Sequence, residues 1–151
     1  MDCVKSIQIR STILHALLAL AVLGAGGWIY VAERPADAIP FFAAINFSHN
    51  APSIFGALGG SLPTFAHAFS FSIFTALMMG PTRRAVLWAC LSWLLIDTAF
   101  EIGQHNVVSS TLISSMPISE TLRSYFAAGT FDLFDLFSIF LGVSLAYLIL
   151  T

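Results

Sequence analysis

Apolar positions in this chain run in long unbroken stretches, not in the one-sided stripe of a soluble amphipathic helix. Four of them approach the roughly 20 residues that a helix needs to cross a bilayer. They run from about Thr12 to Val31, Leu62 to Met79, Ala85 to Gly103 and Phe131 to Leu150. They predict an all-α fold: an integral membrane four-helix bundle, with residues 1–151 as a single transmembrane domain. Only a tight turn, Gly80 to Arg84, separates the second stretch from the third.

The two longer connections are not simple polar linkers. Glu33 to Ser61 contains Pro40-Phe41-Phe42 and Ile54-Phe55-Gly56-Ala57-Leu58, too apolar for water and too broken by Gly and Pro to span. It is expected to lie in the interface or fold back over the helices. In the second connection, Ser119 predicts the cap of a short helix through Glu120, Leu122, Arg123 and Phe126, ended by Gly129. Leu122, Tyr125 and Phe126 would share its apolar face, so this helix is expected to lie on the membrane.

Composition removes the main alternative. Hydrophobic residues make up 58% of the chain and charged residues 9%, where soluble domains carry about 25% charged residues. Fourteen phenylalanines in 151 residues exceed what one small water-soluble core can hide. Nucleic acid is not an expected partner, whereas membrane lipid is. Charge then sets the orientation. Lys5, Arg10, Arg83 and Arg84 fall on one side, and Arg34 and Arg123 on the other. The positive-inside rule puts both termini and the short turn in the cytoplasm, with the amphipathic long loops outside. The first span also resembles a signal peptide, with Ala36-Asp37-Ala38 as a cleavage site, but its apolar run exceeds the usual 7–15 residues. Cys3 and Cys90 are expected on different levels, so no disulfide is predicted.

Polar residues inside the spans carry the candidate chemistry. An acidic residue at mid-bilayer costs about 2.5–3.5 kcal/mol on insertion scales, so it usually has a partner, a proton or a job. At about 100° per residue, Asp97, Glu101, Gln104 and His105 fall within an arc of about 100° on the third span. Asp132 and Asp135 share a face of the fourth, and His67 lies one turn beyond Pro63 on the second. His67, Asp97 and Asp135 are expected at a similar depth, about 5–10 Å below the outer boundary. The inner halves carry little that ionises except His15. One outward-facing pocket is the expectation, with His67, Asp97, Glu101, Gln104, Asp132 and Asp135 as its ligand-binding residues.

Simpler roles are available for each. Asp132 suits the start of a helix, His105 and Gln104 suit a solvated edge, and His67 suits a packing role. Ser92, Thr98, Ser70 and Thr75 are expected to bond their own helix backbone. Trp28 and Tyr30 read as interfacial anchors, and Gly24–Gly27 and Gly142-x-x-x-Ala146 as close-packing surfaces. No Lys or Arg lies within a span. Some of the carboxylates must therefore be protonated or share a cation. A metal held by His67, Asp97, Glu101 and Asp135 is one option, and no particular cofactor is implied.

The same residues carry a resemblance. Leu62-Pro63-Thr64-Phe65-Ala66-His67-Ala68-Phe69 resembles the His-bearing second span of the VanZ-like family. Phe100-Glu101-Ile102-Gly103-Gln104 resembles its Glu-x-x-Gln at the end of span three. Gly129-Thr130-Phe131-Asp132-Leu133-Phe134-Asp135-Leu136, followed by Gly142, resembles its Asp-led entry into span four. The likeness covers residues 62–146. Ile139 stands where the family usually has Asn, and no basic residue precedes the last Asp motif. The resemblance implies a multi-pass protein of the bacterial cytoplasmic (inner) membrane that acts at the cell envelope.

Three functions follow as expectations. The first is an envelope protein whose acidic/His pocket binds a lipid, a cation or a metal-bridged ligand. The second is a non-catalytic accessory subunit of a larger membrane complex, with other membrane subunits as partners. The third is an intramembrane enzyme acting on an outer-leaflet lipid, with His67 as base and Asp97 or Glu101 orienting it. The enzyme reading lacks the Arg or Lys clamps that phosphoryl chemistry wants.

Overall fold

The computed structural model describes residues 2–33, 55–56, 58–80, 82–115 and 117–151. Among them are six helices and no strand: α1 (Asp2–Glu33), α2 (Leu58–Met79), α3 (Arg83–Gly103), α4 (Asn106–Ser115), α5 (Glu120–Ala128) and α6 (Leu133–Leu150). Four contain a stretch long and apolar enough to cross a membrane: Arg10–Val31, Leu58–Met79, Arg83–Gly103 and Leu133–Leu150. Arg34, the Ala36-Asp37-Ala38 site and Pro40-Phe41-Phe42 lie outside the described residues.

The helix starts differ from the expected ones for local reasons. α3 begins at Arg83 because Thr82, extended at φ −98°, accepts the Ala85 N–H at 3.2 Å. α6 begins at Leu133 instead of Phe131, because Asp132 is its cap and accepts the Phe134 N–H at 2.9 Å. α2 starts a turn ahead of Leu62 and carries Pro63 inside it. Gly80 turns the chain from α2 into α3 at φ +96°, a left-handed conformation that costs glycine little. The Thr82 N–H closes that turn on the Gly80 carbonyl at 2.8 Å.

α5 matches the helix predicted after Ser119, whose hydroxyl accepts the Leu122 N–H. Gly129 ends it in an extended conformation (φ −71°, ψ 151°), not the left-handed one. Its aromatic residues pack on α3: the Phe100 ring lies 5.8 Å from Tyr125 and 5.9 Å from Phe126. α4 was not foreseen. Its sequence is rich in Ser, Thr and Val, which are weak helix formers. Thr111 and Ser110 donate back to the Val107 carbonyl at 2.8 and 3.0 Å, which satisfies the hydroxyls within the helix.

α2 is central. It packs against α1, α3 and α6; α3 and α6 also pack on each other, while α1 rests mainly on α2. The result is a three-helix core with a fourth helix laid along it, not four equal helices. The seams are made of small residues. Seven of the thirteen buried hydrophobic residues among those described are alanines: Ala19, Ala66, Ala68, Ala76, Ala85, Ala89 and Ala146. Gly142 lets α6 approach the α2 backbone so closely that a Cβ there would sit 2.8 Å from the Phe65 carbonyl oxygen. Large side chains such as Leu17, Trp88, Leu95, Phe137 and Leu148 point outward. This inverts a soluble core, and it is the packing expected where lipid removes the hydrophobic drive between helices.

Ser70 and Thr75 depart from their expected role. The Ser70 hydroxyl donates to the Ala19 carbonyl of α1 at 2.8 Å, and Thr75 Oγ1 accepts the Trp93 Nε1–H of α3 at 2.8 Å. Both tie α2 to a neighbour. A bare hydroxyl in a dry interior costs several kcal/mol, and an adjacent helix is as good a partner as its own.

Candidate functional site

α3 touches α2 on one side and α6 on the other, and its polar stripe serves both. Asp97 faces α2, where His67 Nδ1 stands 3.3 Å from Oδ1 and 3.4 Å from Oδ2. The His67 side chain is 44% exposed and that of Asp97 10%, so the imidazole covers the carboxylate and leaves its own outer edge open. One turn later, about 6 Å along the axis, Glu101 faces the entry of α6. It is buried and accepts the Asp132 backbone N–H at 2.7 Å.

The contacts fall into two sets. His67 with Asp97 forms an ion pair or charge-assisted hydrogen bond across α2 and α3. Glu101, Asp132 and Asp135 form an acidic group at the start of α6, close enough for both aspartates to bear electrostatically on Glu101. Among the described residues, no three His, Cys, Asp or Glu side chains gather to hold a metal ion. The donor set expected for a metal is thus divided between two interfaces.

Gln104 and His105 stand at the rim. Gln104 Nε2 donates to the Tyr125 hydroxyl at 2.7 Å, which latches α5 to the end of α3. Gly129 packs directly on the Gln104 side chain, and Gly103 on the Phe126 ring. His105 is exposed and meets Phe131 edge to face at 5.5 Å. Ile139 is 1% exposed within the apolar core. It packs here and does no polar work.

The surroundings of the pair were not anticipated. The His67 ring lies 4.4 Å from Phe71 and 5.4 Å from Trp93, and those two rings are 4.8 Å apart. With Thr75 they make a continuous ladder: His67, Phe71 and Thr75 on α2 against Trp93 and Asp97 on α3. The signal was present in the spacing, since each neighbour lies four residues from the last and so shares a face. A carboxylate beside aromatic rings is a recognised setting for a cationic group.

The opposite end of the molecule holds a cavity. It measures about 110 Å³ and is lined by Ser11, Thr12 and His15 of α1, Ala76 and Leu77 of α2, Val86 of α3 and Leu150 of α6. His15 was noticed in the sequence only as an isolated ionisable residue.

Compared with protein-family models, with curated proteins and with solved structures, the chain has no significant match.

Proposed function

We propose that the chain is a VanZ-like multi-pass protein of a bacterial cytoplasmic membrane, whose acidic end faces outward and binds a cationic group, such as the ammonium of an envelope lipid headgroup. The observation that carries this reading is the half-exposed His67 imidazole lying over Asp97 within its aromatic ladder. A cation entering there exchanges with the imidazole for Asp97 and gains the faces of Phe71 and Trp93. The VanZ-like assignment draws support from the fact that all three motifs contribute to the same end: His67 from the first, Glu101 and Gln104 from the second, Asp132 and Asp135 from the third.

The division of the acidic residues favours an organic cation over a metal-bridged ligand. The enzyme reading keeps a His67 oriented by Asp97, but it draws on no nucleophile here, since Cys90 lies buried in the core. The accessory-subunit reading has no observation of its own, since lipid covers the outward leucines and phenylalanines as well as a partner would.

The test is purification in a mild detergent, followed by mass spectrometry of bound lipid and protein. Co-purification of an aminolipid that Asp97→Asn abolishes supports the reading. A stoichiometric set of membrane proteins, with no lipid dependence on Asp97, replaces it with the accessory subunit. Orientation is read separately in a Cys3→Ser background: a cysteine at Thr82 labels from the cytoplasm and one at Ser115 from outside. The reverse pattern overturns the topology.

A further inference from the structure

The basic end carries a site of its own. The cavity there is polar on one wall and apolar on the others. Ser11 and His15 are four apart and Thr12 and His15 three apart, so all three hang from one face of α1. Ala76, Leu77, Val86 and Leu150 close the remaining sides with α2, α3 and α6. His15 has no hydrogen-bond partner among the described residues. A volume of about 110 Å³ holds a few waters at about 30 Å³ each, or one small oxyanion.

Charge at this end is mainly basic; Asp2, in the first turn of α1, is the acidic residue here among those described. Arg10 precedes the polar wall, and Arg83 lies one turn before Val86 on the same face of α3, with Arg84 beside it; all three arginines are exposed. Apart from Arg123, they are the only arginines among the described residues. The spanning helices end here, so the rim falls at headgroup level if the four apolar helices cross a bilayer. An apolar crevice between helices, opening at a basic rim, suits a lipid whose headgroup is anionic.

We infer that the cavity lined by Ser11, Thr12 and His15, with Arg10, Arg83 and Arg84 at its rim, binds the phosphate of an anionic phospholipid headgroup. The hydroxyls and imidazole donate to phosphate oxygens, and the guanidiniums neutralise the charge. The glycerol and upper acyl carbons run over Leu77 and Leu150. This site lies at the end opposite His67 and Asp97, and it stands or falls independently of the function proposed above.

The experiment uses the full chain in mild detergent with equal amounts of phosphatidylglycerol and phosphatidylcholine, read by native mass spectrometry. One phosphatidylglycerol is retained in preference to phosphatidylcholine by about tenfold or more. Neutralising Arg83 and Arg84 together (Arg83→Gln with Arg84→Gln) brings that preference close to parity, since each arginine near the surface is worth up to about fivefold. His15→Leu lowers it as well, and Ser11→Leu at the exposed lip serves if His15→Leu does not elute as a single species. Equal retention of the two lipids overturns the inference, as does a preference that survives all these variants. So does an equal loss in Arg123→Gln at the far end, which would make it an effect of overall charge. Inorganic phosphate that displaces phosphatidylglycerol and stabilises the protein equally would make this a free-anion site and refute the lipid.

Discussion

The two ends of this bundle solve the problem of polar groups among apolar helices in opposite ways. At the acidic end, Asp97 and Glu101 are each met by a group on a neighbouring helix: the His67 imidazole and the Asp132 backbone N–H. At the basic end, His15 and two hydroxyl residues line a cavity, and the arginines stand outside it. The first arrangement closes helices on one another; the second leaves room. Density of charged residues is therefore a poor guide to open space. Asp97 and Glu101 are paired across helices, and the end that holds a lone histidine is hollow.

The seam that joins the two ends gives the largest expected effect. A Cβ at Gly142 meets the Phe65 carbonyl oxygen at 2.8 Å and the Phe69 nitrogen at 3.1 Å, both backbone atoms that cannot rotate aside. Gly142→Val should cost about 3 kcal/mol or more and remove most folded protein. Gly24→Ala, with nothing within 4 Å, should cost almost nothing. Cys90 supplies the measurement, being 3% exposed and reactive only on unfolding. A thiol-reactive dye followed on heating a Cys3→Ser protein gives the transition. If Gly142→Val melts like Gly24→Ala, α6 does not lie against α2 as described.

Next in size is Glu101. Glu101→Ala takes the acceptor from the Asp132 N–H in a part-buried bond, a loss of about 1–2 kcal/mol. Glu101→Gln keeps a carbonyl oxygen for that bond and removes one of three neighbouring negative charges, so it should melt near or above the parent. The pair of variants sharpens the contrast between the ends, because neither should alter lipid preference at the basic end. A Glu101→Gln protein as unstable as Glu101→Ala would show that the charge itself is needed, and with it a cation at this end.

Much of the fold was legible because bilayer-length apolar runs leave few options. The four apolar helices, the Ser119 cap and the Gly80 turn each follow from a local rule. What escaped depended on side chains meeting across helices. Ser70 and Thr75 were assigned to their own backbone, the commonest fate of a hydroxyl in a helix, because no local rule reveals Ala19 or Trp93 opposite. α4 was missed because its residues are weak helix formers. At the site, Asp97 and Glu101 share a face of α3 while Gln104 and His105 fall beyond its end, and a stripe does not say how many neighbours it faces. One turn between Asp97 and Glu101 is enough to change the partner from α2 to α6. The cavity could not be read at all, since it is a property of four helices and not of any one.

The smallest effect belongs to the pair that the functional proposal depends on. His67 is nearly half exposed, and partly exposed ion pairs are worth about 0–1 kcal/mol. Asp97→Asn keeps an oxygen to accept from the imidazole, so it should shift the melting transition by no more than about 1 kcal/mol. Its cost falls on binding, because an amide offers a cation no charge. His67→Gln should behave differently: it uncovers Asp97 without neutralising it, and so leaves aminolipid retention intact or raised. A working site therefore gives near-parent melting in both variants, with retention lost in Asp97→Asn and kept or raised in His67→Gln. A structural clasp gives the other pattern, with both variants destabilised by more than about 1 kcal/mol and retention unchanged. That result would leave the acidic end as the part of the molecule that only holds it together, and the hollow basic end as the part that binds.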